Sequence, residues 1–134
     1  MPGPNGAPGA APSAQVFGTP DSQPTRAALR FFKERRVDVH FVDVSRKPMA
    51  PTELRRFIDR LGARAVADET SKAWRDSGLA YLRMDDAELA DRLFNEQRLL
   101  RLPLVRLGAG VAAGRDEAAW KALLRTAEAP GRTG

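Results

Sequence analysis

The sequence predicts an α/β domain built on a small mixed sheet. Residues 37–44, VDVHFVDV, alternate apolar and polar side chains as a half-buried strand does, and Phe41, Val42 and Val44 make the second half nearly continuous. Leu54, Phe57, Ile58 and Leu61 fall at i, i+3, i+4 and i+7, the apolar stripe of an amphipathic helix. Near the C-terminus LPLVRL (102–107), a Gly-Ala-Gly turn at 108–110 and VAA (111–113) read as a hairpin, and Trp120, Leu123 and Leu124 supply the inward stripe of a closing helix. The predicted order is β-α-β, a helical middle, then β-β-α.

Each element has a local reason. MPGPNGAPGAAPSA is uncharged and rich in Pro, Gly and Ala, too poor in apolar surface to offset the entropy of ordering, so residues 1–13 are expected to form a disordered tail. QVFG (15–18) is the first strand. Pro24 suits a first helical turn, where its missing N–H costs nothing, and a helix over 24–36 turns Ala28, Leu29 and Phe32 inward. Strand 37–44 completes β-α-β. In APTELRRFIDRLG (50–62) Thr52 is expected as N-cap and Gly62 as the stop. DETSKAWRDS (68–77) and DDAELADRLFNEQ (85–97) read as two further helices, the second with an acidic first turn that suits the helix dipole. Trp74 and Trp120 sit at spacings that point inward and are read as core. The domain is expected over 14–127, and 128–134 as a flexible C-terminal tail.

Composition narrows function. With 134 residues and 43% hydrophobic content the chain can bury one core. It has no cysteine and a single histidine, His40, so disulfides, thiolate metal sites, thiol catalysis by its own residues and imidazole clusters are excluded. The net charge of +5 favours anionic partners, but the charges are interspersed, which disfavours nucleic acid as a partner. Arg26, Arg30, Lys33, Arg35 and Arg36 are read as a solvated helix face. No segment approaches the roughly 18 apolar residues of a membrane span, and the N-terminus has neither a basic start nor an apolar signal core. A cytoplasmic monomer without membrane contact is expected.

The predicted order is that of the thioredoxin fold with a helical insertion, and four segments extend the likeness: GTPDSQPTR (18–26), VDVSRKPMAPTELRRFIDRLG (42–62), RLPLV (101–105) and GRDEAAW (114–120). In their order and spacing the chain resembles the arsenate reductase family over about residues 15–125. That family includes glutaredoxin-like arsenate reductases, the transcriptional regulator Spx and YffB-like proteins. The resemblance implies that the family's nucleophilic cysteine falls on Ser22 and a second thiol position on Thr25, while Arg26 is kept. It also implies that three oxyanion-binding arginines fall on Asp68, Leu102 and Arg115, of which only Arg115 is an arginine. An Asp at such a position would repel a dianion. Pro103 is implied to follow a cis peptide bond beside the active loop.

A serine hydroxyl needs a general base to act as nucleophile, and His40, in the second strand, is read as a packed or edge side chain. Ser22 has a plainer role, since Ser-x-x-Thr at a helix start caps free N–H groups. The sharper alternative keeps an anion-binding loop built from Ser22, Arg26 and Arg115. Together these imply a non-catalytic family member, a pseudoenzyme acting as a binding or regulatory domain, with a protein or small anion as partner and no cofactor or metal. Two alternatives stand beside it. One is a glutathione-linked reductase or transferase of the same family, in which a hydroxyl orients the cosubstrate's thiol. The other is an Spx-like regulator contacting RNA polymerase without a thiol switch.

Overall fold

The computed structural model describes residues 13–127. Its sheet has the order β2-β1-β3-β4, with β1 at Ser13–Gly18, β2 at Asp38–Asp43, β3 at Leu104–Leu107 and β4 at Gly110–Ala113. β1 and β2 are parallel, from Ser13↔Asp38 to Gly18↔Asp43, which requires a crossover; α1 (Gln23–Glu34) supplies it. β3 is antiparallel to β1 and joins β4 through the two-residue turn Gly108-Ala109, where φ of +61° at Gly108 favours glycine.

Strand alternation divides the interior in two. Ala14, Val16, Val105 and Leu107 face α1 and α6 (Glu117–Ala127), packing with Phe31, Phe32, Trp120 and Leu124. Phe17 and Leu104 face the opposite way, onto Leu54, Phe57 and Ile58 of α2 (Pro51–Leu61), with Phe17 edge-on to Phe57 at 5.8 Å between centroids. The middle segment closes this second core. It comprises α3 (Ala63–Val66), α4 (Lys72–Asp76), α5 (Asp86–Asn95) and two 3-10 turns, Leu79–Tyr81 and Gln97–Leu99. Both tryptophans are buried, Trp120 packed against both Phe31 and Phe32 and Trp74 in the α2-side cluster. Among the described residues no helix is long and apolar enough to cross a membrane.

Several expected boundaries move. β1 begins at Ser13, paired with Asp38, one residue inside the segment expected as tail; the rest of that tail, and residues 128–134, lie outside the described residues. Thr52 is not the N-cap of α2. Pro51 sits at the first helical position, which makes Ala50 the cap with no side-chain bond, and Gly62 ends the helix at φ +90°. The helix expected over 68–77 starts only at Lys72, because the Asp68 carboxylate folds residues 68–70 into a turn and Ser71 becomes the cap. The helix expected over 85–97 ends at Asn95 and is followed by a separate 3-10 turn, while Asp85 and Glu88 form a reciprocal capping box. α3, absent from the sequence reading, is a single turn entered directly from Gly62.

Candidate functional site

At the C-terminal end of β1 the chain turns through Thr19, Pro20 and Asp21 into α1. Ser22 is the N-cap of α1: its backbone is extended (φ −82°, ψ 121°) and its Oγ accepts a hydrogen bond from Thr25 N at 3.2 Å. The cap uses the hydroxyl as an acceptor, and among the described residues no side chain accepts a hydrogen bond from it. His40 is exposed on the edge strand β2, opposite Gln15, three residues or about 10 Å along the strands from the Gly18 end.

Thr25 faces inward. Its side chain is fully buried, its Oγ1 has no hydrogen-bond partner, and it lies so close over Gly18 that a Cβ there would fall 2.3 Å from Oγ1. Gly18 therefore lets α1 settle against β1. Arg26 reaches back over the loop, where Nη1 donates to the Pro20 carbonyl at 2.9 Å. Opposite the loop, the Leu102–Pro103 peptide is cis, as expected, and the Pro103 carbonyl accepts from Gly114 N at 2.8 Å.

The structure separates the residues that the sequence reading had grouped. Leu102 lines a groove of about 620 Å³ together with Thr19 and Asp21 of the loop, Val44 beyond β2, Phe94 of α5 and Arg98. Arg26 and Arg115 instead line a second recess, of about 300 Å³, with Gln23, Ala27 and Arg30; Ser22 lines neither. Asp68 lines neither cavity, and its Oδ1 accepts from Thr70 N at 3.0 Å and Thr70 Oγ1 at 2.6 Å. Of the three anion-binding candidates, Arg26 and Arg115 line one recess and Ser22 caps α1 beside it without lining it.

Gln97 organises the groove. Its Oε1 accepts from Met49 N at 2.7 Å and its Nε2 donates to the Met49 carbonyl at 3.1 Å, tying the β2–α2 connection to the segment that leads into β3. On the rim, Arg98 Nε and Nη2 donate to the two Glu96 carboxylate oxygens at 3.1 and 2.7 Å. These bonds hold the Glu96 carboxyl below the usual carboxylate range and raise the Arg98 guanidinium. The floor is apolar (Val44, Phe94, Leu102) and the rim polar, a combination suited to an extended chain or small thiol-sized ligand. The sequence reading did not single out Gln97 or Phe94, and it took Arg30 only as part of a solvated helix face. Gln97 and Phe94 work through partners distant in sequence, Met49 and Arg55, which local spacing does not reveal. Among the described residues, no group of three or more His, Cys, Asp or Glu is placed to hold a metal ion.

A mixed sheet with a βαβ opening, a cis-proline hairpin facing the loop and a capping helix N-terminus define a thioredoxin-like domain. The sequence profile of the ArsC family matches residues 17–123, well over half the chain, and the protein belongs to that family. Solved structures share its fold. The YffB protein PA3664 superposes with a TM-score of 0.74 at 19% identity, covering 83% of this chain and 98% of that one. An arsenate reductase from Vibrio cholerae gives 0.68 at 18% identity, covering 78% and 92%, and an arsenate reductase (ArsC) related protein from Brucella melitensis gives 0.64 at 15%, covering 87% and 97%. No curated protein matches at the level of sequence.

Proposed function

We propose that this ArsC-family protein is a cytoplasmic, monomeric binding domain rather than a reductase, and that it engages a protein partner through the groove between the Thr19–Asp21 loop and cis-Pro103. The observation that carries this reading is the state of the two thiol positions. At one, Ser22 is committed to capping α1; at the other, Thr25 is buried against Gly18. A hydroxyl without a base is a poor nucleophile, and a buried one cannot resolve an intermediate.

The groove supports binding because its shape is preserved by contacts that need no thiol. Gln97 fixes its walls, Leu102 and Phe94 supply an apolar floor, and the Glu96–Arg98 pair gives a polar rim. A glutathione-linked activity is the second reading, since a groove of this volume also accommodates a small thiol peptide. The experiment is affinity capture from native cytosol, comparing wild type with Leu102→Glu and Phe94→Ser by mass spectrometry. One protein retained by wild type and lost by both groove variants is the expected result. Retention by the variants as strong as by wild type refutes the groove as the interface. Glutathione that binds the groove and is turned over in a transferase assay favours the second reading.

A further inference from the structure

Resting on the reading of the groove as a partner interface, we infer that the partner enters it as an extended acidic segment and seats one aromatic side chain in a side pocket beyond Phe94. The side pocket, of about 380 Å³, opens between α2 and α5 and is lined by Pro51, Thr52, Arg55 and Phe94. Phe94 lines the groove as well, so the two cavities meet at its ring. None of the four residues falls at a thiol or oxyanion-binding position.

The opposite wall is continuous too. Pro48 lines the groove and Pro51 the side pocket, three residues apart. Between them the N–H and carbonyl of buried Met49 are both taken by the Gln97 side chain, at 2.7 and 3.1 Å. This wall is therefore set before any ligand arrives, and little ordering entropy is lost there on binding.

The lining decides what the side pocket holds. The pyrrolidine ring of Pro51 and the phenyl ring of Phe94 are flat apolar surfaces, and the Arg55 guanidinium lies over the Phe94 ring at 4.6 Å from its centroid. An aromatic side chain is the anchor that uses all three: it buries apolar area against the two rings and meets a guanidinium plane that attracts π faces.

Charge sets the rest of the segment. Ser45 and Pro48 line the groove, and Arg46 and Lys47 between them are exposed and pair with no described carboxylate. The only described ionic partner of Arg55 is Asp59, 3.9 Å away and exposed, a contact worth little. Of the two carboxylates that line the groove, Glu96 is held by Arg98 through two hydrogen bonds, which leaves Asp21. The surplus of positive charge along this wall, in a chain of net charge +5, complements a segment with Asp or Glu on either side of its aromatic anchor. A second copy of the chain carries the same surplus and is the wrong partner.

The test selects a display library of random linear dodecapeptides against the full-length chain and measures the enriched peptides, made synthetically, by fluorescence anisotropy near physiological ionic strength. The expected consensus is one aromatic residue flanked by Asp or Glu. Its binding should be lost in Thr52→Trp, which fills the side pocket, and in Leu102→Glu, which blocks the groove. Arg55→Glu, which exchanges an attraction for a repulsion, should weaken it about tenfold. Thr52 and Arg55 are exposed, so both variants should melt as wild type does. Peptides that Leu102→Glu rejects but that bind Thr52→Trp and Arg55→Glu as tightly as wild type overturn the side-pocket inference and leave the groove standing. Peptides bound equally by all three variants overturn both. Enrichment of basic or purely aliphatic sequences, or no enrichment at all, overturns the inference as well.

Discussion

Replacing Gly18 with alanine tests how α1 is seated on β1. The added Cβ would stand 2.3 Å from Thr25 Oγ1 and 2.6 Å from its Cγ2, where carbon contacts normally settle near 3.5–4 Å. Thr25 cannot move aside easily: it is β-branched in a helix, which stiffens χ1, and it is fully buried. The helix or the strand must therefore shift, and overpacking of this kind costs about 1–3 kcal/mol. Taking about 2 kcal/mol, the Tm of a domain this size should fall by roughly 6–10 °C. Thr25→Ala removes the colliding atoms together with an unpartnered buried hydroxyl, so that variant alone should be near neutral, the relief of desolvation offsetting a lost methyl worth about 0.8 kcal/mol. The double variant should then be more stable than the sum of the singles by about 1–2 kcal/mol. The assay is urea and thermal denaturation of all four proteins. A Gly18→Ala protein as stable as wild type, or strictly additive effects, would refute the inward packing of Thr25.

Three further outcomes are expected. Gln97→Ala strands the Met49 N–H and carbonyl, both partly buried, and should cost about 1–3 kcal/mol in urea denaturation; an unchanged midpoint contradicts the bridging role. Glu96 should titrate below the ordinary glutamate value of about 4.3 in a carboxyl-carbon NMR titration, and Arg98→Gln should move it upward. Because the folded value is the lower one, the pair's small contribution is present above about pH 4.3 and lost as pH falls through the folded midpoint, so a midpoint unaffected by Arg98→Gln counts against the pairing. Trp120→Ala opens a cavity beside Phe31 and Phe32 and should cost about 3–5 kcal/mol, and a loss below 1 kcal/mol, measured the same way, would show that neighbouring side chains fill it.

Much of the fold was legible because its signals are local. Alternation in 37–44, the i, i+3, i+4, i+7 stripe of α2 and the Gly108-Ala109 turn each follow from near neighbours in sequence, and the structure carries all three. The errors arose where two local rules competed. Thr52 is a good cap by type, but Pro51 fixed the helix start two residues earlier than a Thr52 cap would. Asp68 reads as a helix residue, yet its carboxylate prefers its own turn at Thr70. α3 has neither a polar cap nor the length to display a period. Of the site, Ser22 was readable as a cap because the Ser-x-x-Thr spacing is local. The groove and recess were not, since Gln97 meets Met49 across 48 residues and Arg115 meets Arg26 and Arg30 only through the sheet topology.

The reading of this protein as a binding domain stands or falls on catalysis, measured as arsenate-dependent NADPH oxidation coupled through glutathione and glutaredoxin. Wild type should not exceed the enzyme-free blank. Ser22→Cys places a thiol at the N-terminus of α1, where the helix dipole favours the thiolate, and its pKa should fall below the reference of roughly 8.5. That variant should still reduce no arsenate, because Leu102 and Asp68 offer no guanidinium and lost charge-assisted hydrogen bonds are worth about 1.5–3 kcal/mol each; adding Leu102→Arg and Asp68→Arg tests whether their return restores turnover. Arsenate reduction by the wild-type chain that disappears in Ser22→Ala would contradict the account directly.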